Sequence, residues 1–130
     1  VFDDRIALVL IVEDNPKVRA LSVKRIRDLG FRTDAAESGD DAYALLRGGL
    51  QADIVFSDLV MPGQLNGYDL AAKVALEFPQ MKVLLTSGYA SDVVTGGLAG
   101  DRRYSILHKP YRQSELAQRL EALLTDAPED

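Results

Sequence analysis

The chain has 130 residues, a length that suits one compact domain with its own hydrophobic core. Its 15 Lys and Arg against 20 Asp and Glu give a net charge of -5, which argues against non-specific binding to nucleic acid, because such binding needs a basic face. The sequence contains no cysteine and a single histidine, His108, so disulfides, thiolate metal sites and a histidine-rich zinc site are excluded.

The longest apolar run, Ile6 to Val12, has the length of a strand and is far shorter than the roughly 18 residues that span a bilayer. The first residues, "VFDDR", have no signal-peptide pattern and no starting Met. We expect a cytoplasmic domain without membrane contact, covering residues 1–130 with its core from 6 to 124. The acidic tail "DAPED" has the composition of a linker.

Strands and helices alternate along the first part of the chain. The run "RIALVLIV" predicts a strand buried on both faces, and in the following "EDNP" Asn15 is a candidate N-cap with Pro16 at the first helical position. The helix ends at Gly30. "FRTDAA" then alternates like an edge strand, and "SGDDAYALLRGG" predicts a short helix. The apolar face of the first helix consists of Val18, Leu21, Ile26 and Leu29.

The second part repeats this alternation. "DIVFSD", "MKVLLTS" and "YSILHK" predict strands, while "GYDLAAKVALEF" and "SELAQRLEALL" predict helices. The segment Ser91–Asp101 is where a fourth helix belongs, but its glycines each cost a helix interior about 1 kcal/mol, so we expect a short or irregular element there. The whole pattern predicts a (βα)₅ domain of the α/β class, with a parallel sheet between two layers of helices.

Polar side chains stand at the ends of these strands. They are Glu13 and Asp14, then Asp58, then Ser87, then Lys109. Because ligands of parallel α/β sheets bind outside the carboxyl ends of the strands, we expect these groups to converge on one rim. An acid at a strand end is, taken alone, more often a turn or cap residue. Three acids together suit Mg²⁺, and an opposing lysine suits the stabilisation of phosphoryl oxygens.

The sequence resembles the receiver domains of two-component response regulators. The resemblance covers roughly Ile6 to Leu124 and is carried by "VEDN", "DLVMPG", "NGYDL", "LLTSGYA" and "LHKPY". It implies a flavodoxin-like, doubly wound sheet of five parallel strands in the order 2-1-3-4-5. It also implies that the chain accepts a phosphoryl group from the phosphohistidine of a histidine kinase or histidine phosphotransferase.

The resemblance also implies roles for the residues at the rim. Asp58 is the phosphoacceptor, and Glu13 and Asp14 hold Mg²⁺ together with Asp58 and the backbone carbonyl of Val60. Lys109 contacts the phosphoryl oxygens. Such a protein phosphorylates itself from a donor and is not a conventional enzyme.

Further positions follow from the same resemblance. The switch hydroxyl that contacts the phosphoryl group is Ser87 when the strands are aligned by length, and Thr86 if the register slips by one residue. The bond before Pro110 is expected to be cis. The positions that tune loss of the phosphoryl group to water are Val60 and Tyr89, neither of which is a good base, so we expect slow dephosphorylation.

The sequence departs from the family pattern at three places. The loop between Pro62 and Gly67 is about one residue longer than is common, and we expect it to reshape the rim beside Asp58 without affecting the acids. Ile106 replaces the usual Tyr or Phe three residues before Lys109, and this residue and the glycine-rich Ser91–Asp101 segment indicate an altered output face. They favour the receiver module of a hybrid sensor histidine kinase. The alternative is a stand-alone regulator that acts by protein–protein interaction, and homodimerisation stays open.

Three other classes of protein are disfavoured. A haloacid-dehalogenase-type phosphatase needs a second Asp two residues after its nucleophile, and Val60 occupies that position. A flavodoxin-like cofactor binder needs a phosphate loop after the first strand, where the acids of "EDNP" would repel phosphate. A degenerate receiver that only binds partners would lack one of the acids or the lysine, and all are present.

Overall fold

The computed structural model of the protein describes residues 6–61, 65–88 and 105–125. Within these ranges, five parallel strands form one sheet in the order β2-β1-β3-β4-β5, which confirms the expected fold. The elements, numbered as they occur in the described residues, are β1 Leu8–Val12, α1 Pro16–Asp28, β2 Arg32–Ala36, α2 Gly39–Arg47, β3 Ile54–Asp58, α3 Gly67–Glu77, β4 Lys82–Ser87, β5 Ser105–His108 and α4 Gln113–Thr125.

The start and end of α1 follow the residues that predicted them. The Asn15 side chain accepts hydrogen bonds from the backbone N–H groups of Lys17 and Val18, and Pro16 is the first helical residue. After the helix, Gly30 adopts a φ of 101° and donates its N–H to the carbonyl of Arg27. This left-handed conformation favours glycine, and it turns the chain into β2.

The core lies on both faces of the three central strands. On one face, Leu10 and Val55 pack in a cluster with Leu70 and Val74 of α3. On the other face, alternate residues of the same strands pack against α1 and α4 in a second cluster: Val9, Ile11, Ile54, Phe56 and Leu84 with Ile26, Leu116 and Leu120. Burial on both faces explains why these strands read as continuous apolar runs, whereas the edge strand β2 alternates.

The apolar face predicted for α1 is only partly buried. Ile26 is fully buried and Leu29 packs against the core, but Val18 is 36% exposed and Leu21 is 55% exposed. Both exposed side chains lie beside a cavity of about 280 Å³ that reaches from α1 to Asp58 and Tyr111. The helical periodicity therefore identified the face correctly, while its first two turns border a cavity instead of filling the core.

The expected irregular element at Ser91–Asp101 lies outside the described residues, and so does Tyr89. Among the helices that are described, none combines the length and the apolar character needed to cross a membrane.

Candidate functional site

Three carboxylates meet at the carboxyl ends of β1 and β3. The strands are paired with Val12 opposite Ser57, so Glu13 and Asp58 follow directly at neighbouring positions of the same rim. Glu13, Asp14 and Asp58 each offer an oxygen, and these oxygens all lie within 4.8 Å of one another. Glu13 is buried, Asp58 is half-buried and Asp14 is exposed. The sequence placed these three acids together, and the structure does so as well.

Two contacts from the start of α1 and its N-cap hold Glu13 in place. The backbone N–H of Asn15 donates to Glu13 Oε2 at 3.1 Å. The Arg19 guanidinium donates to the backbone carbonyl of Glu13 at 2.9 Å. Because one contact holds the side chain and the other holds the main chain, the turn between β1 and α1 fixes the direction of Glu13. Sequence reasoning missed Arg19.

Burial raises the pKa of the Glu13 carboxyl above its ordinary value, since a buried carboxylate loses hydration. The hydrogen bond from the Asn15 N–H opposes this change, whereas the negative charge of Asp58 adds to it. A smaller contribution from Asp14 also raises the pKa, and the positive charge of Lys109 lowers it. The charged form of Glu13 is therefore disfavoured in the folded protein.

Lys109 supplies a positive charge close to both Asp58 and Glu13. Its Nζ lies 3.2 Å from Asp58 Oδ1 and 4.0 Å from Glu13 Oε1. Its backbone N–H donates to the carbonyl of Ser87 at 2.8 Å, which extends the pairing of β4 and β5 to this residue. The peptide bond between Lys109 and Pro110 is cis, the form that the resemblance implies.

A hydroxyl from β4 also contacts Asp58, and it belongs to Thr86. The two residues are register partners in the parallel pair of β3 and β4, and Thr86 Oγ1 donates to Asp58 Oδ1 at 3.3 Å. Ser87, the first choice from the sequence, is the buried last residue of β4 and takes part in polar contacts of its own. The contact with Asp58 that the structure describes is thus made by Thr86, and the assignment of the phosphoryl-contacting hydroxyl to Ser87 or Thr86 stays a prediction.

Gly67, the first residue of α3, lies close against the backbone of Asp58 and Leu59. A Cβ added to Gly67 would collide with the Asp58 carbonyl oxygen and would lie 2.7 Å from the Leu59 Cα. The Gly67 N–H donates to the carbonyl of Leu59 at 2.9 Å. No larger residue fits here without a shift of the backbone that carries Asp58.

Three other residues were named from the sequence, and the structure describes two of them. Val60 follows Asp58 by two residues and is 59% exposed. Ile106 in β5 packs beside the buried group of Leu59, Ala71 and Leu85, and its carbonyl accepts a hydrogen bond from Arg119 at 3.0 Å. Tyr89 lies outside the described residues.

The donor set fits a magnesium ion. Three carboxylates whose oxygens lie within 4.8 Å of one another offer only hard oxygen ligands, which Mg²⁺ prefers. Asp14 is exposed, so one side of the cluster is open to the water molecules that Mg²⁺ retains. Burial is the main cause of the raised pKa of Glu13, the negative charge of Asp58 adds to it, and a divalent cation would relieve that repulsion.

Comparison with known proteins identifies the family. The sequence profile of the response regulator receiver domain matches residues 9–121, which is most of the chain. This chain is a response regulator receiver domain. It is 34% identical over 119 residues to sensor kinase CckA of Brucella abortus, and the match covers 91% of this chain but only 12% of that kinase.

Another relative has nearly the same length as this receiver domain. The response regulator receiver protein CpdR of Brucella abortus is 25% identical over 119 residues, with 92% of this chain and 98% of CpdR covered. The transcriptional regulatory protein TcrA of Mycobacterium tuberculosis is 32% identical over 122 residues, and the chain spans 47% of its length.

Solved structures show the same fold. The receiver protein from Sinorhizobium medicae superimposes with a TM-score of 0.85 at 24% identity, covering 98% of this chain and 100% of the other. The response regulator TrrA from Thermotoga maritima, solved in complex with Mg²⁺-BeF, gives a TM-score of 0.77 at 24% identity and covers 91% of this chain and 99% of the other.

Proposed function

We propose that Asp58 accepts a phosphoryl group from the phosphohistidine of a histidine kinase or histidine phosphotransferase. The observation that carries the proposal is the surroundings of Asp58: oxygens of two other carboxylates lie within 4.8 Å, and the Lys109 ammonium lies 3.2 Å away. An aspartate used only as a cap or turn residue needs neither neighbour. The arrangement instead suits an anionic group that arrives beside Asp58.

The transfer conserves atoms and charge. An oxygen of the Asp58 carboxylate attacks phosphorus, the P–N bond of the phosphohistidine breaks, and its electron pair returns to the imidazole nitrogen. The product on this chain is an acyl phosphate. Lys109 is placed to hold the phosphoryl oxygens as negative charge shifts toward Asp58, and Thr86 keeps Asp58 Oδ1 in a fixed direction.

A magnesium ion would be held by Glu13, Asp14 and Asp58, with the Val60 carbonyl as a further ligand that the resemblance implies. When bound, it would neutralise the acids and polarise the phosphoryl oxygens. The complex of Mg²⁺-BeF with the Thermotoga maritima response regulator supports this assignment, because BeF stands in for a phosphoryl group.

The experiment is intact-mass measurement after incubation with a small acyl phosphate donor and Mg²⁺. We expect the wild type to gain one phosphoryl group, and we expect neither the chelator-treated protein nor Asp58→Asn to gain it. Asp53→Asn is the matched control, because Asp53 lies at the opposite end of β3, where it accepts the Leu8 N–H at 2.8 Å. A gain that persists in Asp58→Asn contradicts the proposal.

The phosphorylated state is expected to be long-lived. Val60 offers no base to position an attacking water, and the resemblance assigns the other tuning position to Tyr89. The loss of the added mass with time, in Mg²⁺ at neutral pH, measures the lifetime. Decay within seconds would show that another group positions the water. Val60→Glu, which adds a water-binding carboxylate, is expected to decay faster than the wild type.

For the whole protein, we propose the receiver module of a cytoplasmic hybrid histidine kinase. The observation that favours this reading is the 34% identity to sensor kinase CckA. The stand-alone alternative is favoured by the near-complete coverage of CpdR. The size of the native protein in its source cells, measured with an antibody to this domain, separates them: the first predicts a chain several times longer, the second a chain of about this length.

A further inference from the structure

We propose that Arg25 is a positioning residue for Lys109 and that it acts through side-chain contacts between α1 and the start of α4. The inference deepens the proposed function, since it rests on the role given to Lys109 at the phosphoryl group. Arg25 lies in the last turn of α1 and belongs to none of the motifs that carry the family resemblance.

Arg25 joins two segments that are more than 80 residues apart in sequence. Its Nε donates to Gln113 Oε1 at 2.9 Å, and one terminal nitrogen donates to the Tyr111 carbonyl at 3.2 Å. Gln113 in turn donates its Nε2 to the carbonyl of Arg25 at 2.7 Å. The guanidinium also lies 4.5 Å from the centre of the Tyr111 ring. We call Arg25, Tyr111 and Gln113 the α1–α4 bridge.

The α1–α4 bridge can influence Lys109 because Lys109 lies in the short segment between β5 and Tyr111. β5 has four residues, is the edge strand of the sheet and pairs only with β4 among the described strands. Before Lys109 the chain is held by that pairing, which ends with the Lys109 N–H on the Ser87 carbonyl. After Lys109, the next hydrogen bond to the main chain among the described residues is the one from Arg25 to the Tyr111 carbonyl.

The ring of Tyr111 connects the segment after Lys109 to β3, the strand that ends at Asp58. It packs edge-on against Phe56 with ring centres 6.5 Å apart, and Phe56 precedes Asp58 by two residues on β3. Arg25 and Tyr111 line the same cavity as Asp58 and Lys109. Arg25 therefore fixes the segment that aims Lys109 at Asp58, and loss of its contacts frees that segment on one side.

An arginine suits this position better than a lysine. The guanidinium is planar and offers several N–H donors, so it can serve a side-chain amide and a carbonyl at once while lying over an aromatic ring. An ammonium keeps the charge but not this geometry. Arg25→Lys therefore separates the effect of the contacts from the effect of the charge.

The test compares two readouts in the intact chain: the rate of phosphorylation by a small acyl phosphate with Mg²⁺, and the affinity for Mg²⁺ alone. We expect Arg25→Met to slow phosphorylation by about tenfold, because displacement of a group that contacts the reacting centre is costly. Arg25→Lys and Gln113→Ala are expected to slow it less. Mg²⁺ affinity is expected to stay at the wild-type value, because the acids are held by separate contacts.

Arg27→Met is the matched control, since it removes the same charge from an exposed position of the same helix. It is expected to keep the wild-type rate. Lys109→Ala supplies the second control: if Arg25 acts through Lys109, adding Arg25→Met to Lys109→Ala slows the reaction no further. Circular dichroism and the unfolding midpoint confirm that each variant is folded, and Gln113→Ala carries the test if Arg25→Met is not.

The outcomes separate this inference from the proposed function. A wild-type rate in Lys109→Ala would overturn the role of Lys109 and this inference with it. A slow Lys109→Ala beside a wild-type rate in Arg25→Met and Gln113→Ala would overturn only the inference. Equal losses of Mg²⁺ affinity and rate in Arg25→Met, or further slowing in the Lys109→Ala background, would show a general structural role and overturn it as well.

Discussion

The acidic and the cationic sides of the rim are built in different ways. Glu13 follows β1 and Asp58 ends β3, two strands inside the sheet, and both acids are placed by the backbone pairing of these strands. Lys109 follows a four-residue strand at the edge. Its segment is held from beyond the sheet by side chains of α1 and α4. The acidic side depends on the main chain, and the cationic side depends on a few long-range side-chain contacts.

Because of this difference, we expect the two sides to respond to different substitutions. A change that moves the backbone near Asp58 affects the metal ligands first. A change in the α1–α4 bridge affects the lysine first and leaves the acids in place.

The largest effect is expected from Gly67→Ala. The new Cβ would collide with the Asp58 carbonyl oxygen and would lie 2.7 Å from the Leu59 Cα, so the backbone must shift. Overpacking of this kind costs about 1–3 kcal/mol of unfolding free energy. Because the shift moves Asp58, Mg²⁺ affinity is expected to fall together with the phosphorylation rate. Urea unfolding and calorimetric titration measure the two quantities.

Gly88→Ala is the control for stability, since a Cβ added there meets no atom within 4 Å among the described residues. Its unfolding free energy is expected to stay within about 0.5 kcal/mol of the wild type. A Gly67→Ala variant with wild-type stability and wild-type Mg²⁺ affinity would contradict the proposed difference between the two sides, because the acidic side would then not depend on the close backbone packing.

A smaller effect of opposite sign is expected from Glu13→Gln. The raised pKa of Glu13 means that its charged form is disfavoured in the folded protein. Removing the charge is expected to raise the unfolding midpoint of the metal-free protein by about 4 °C, the size of a change of roughly 1 kcal/mol in a domain of this length. The same change is expected to weaken Mg²⁺ binding.

The pH dependence of this effect has a definite sign. A carboxyl whose pKa is raised above its ordinary 4.5 binds its proton more tightly in the folded state than in the unfolded chain. The penalty is present above the raised pKa and disappears as the pH falls below 4.5. The stabilisation by Glu13→Gln should therefore be largest near neutral pH and shrink in acid. A constant difference across this range would contradict the electrostatic cause.

The smallest effect is expected from Thr86→Val, which removes the hydroxyl that joins β4 to Asp58. The loss of one hydrogen bond worth about 1 kcal/mol corresponds to roughly fivefold slower phosphorylation. Thr86→Ser keeps the hydroxyl and is expected to restore most of the rate. A wild-type phosphorylation rate in Thr86→Val, together with a reduced rate in Ser87→Ala, would show that the hydroxyl that supports the reaction belongs to Ser87.

The sequence was sufficient for the sheet and for the acids. Continuous apolar runs identified the central strands, and the rule that ligands bind at the carboxyl ends of parallel strands directed attention to Glu13, Asp14, Asp58 and Lys109. These four groups do meet in the structure. The prediction succeeded because position along a parallel sheet follows from backbone pairing, which the local pattern encodes.

Features that depend on side-chain geometry were not accessible in this way. The choice between Thr86 and Ser87 turns on which of two adjacent hydroxyls points to Asp58, and strand length alone does not fix that. Arg25 and Gln113 are separated by 88 residues, and no local pattern pairs them. The exposure of Leu21 depends on the cavity beside α1, which periodicity does not reveal.

The most direct measurement of the central claim is the position of the phosphoryl group after phosphorylation with Mg²⁺. Borohydride reduces an acyl phosphate to the alcohol, so a phosphorylated aspartate becomes homoserine and can be located by peptide mass spectrometry. We expect conversion at Asp58 and at no other acid. Conversion at Glu13, Asp14 or Asp53, or a phosphoryl group that resists borohydride, would contradict it.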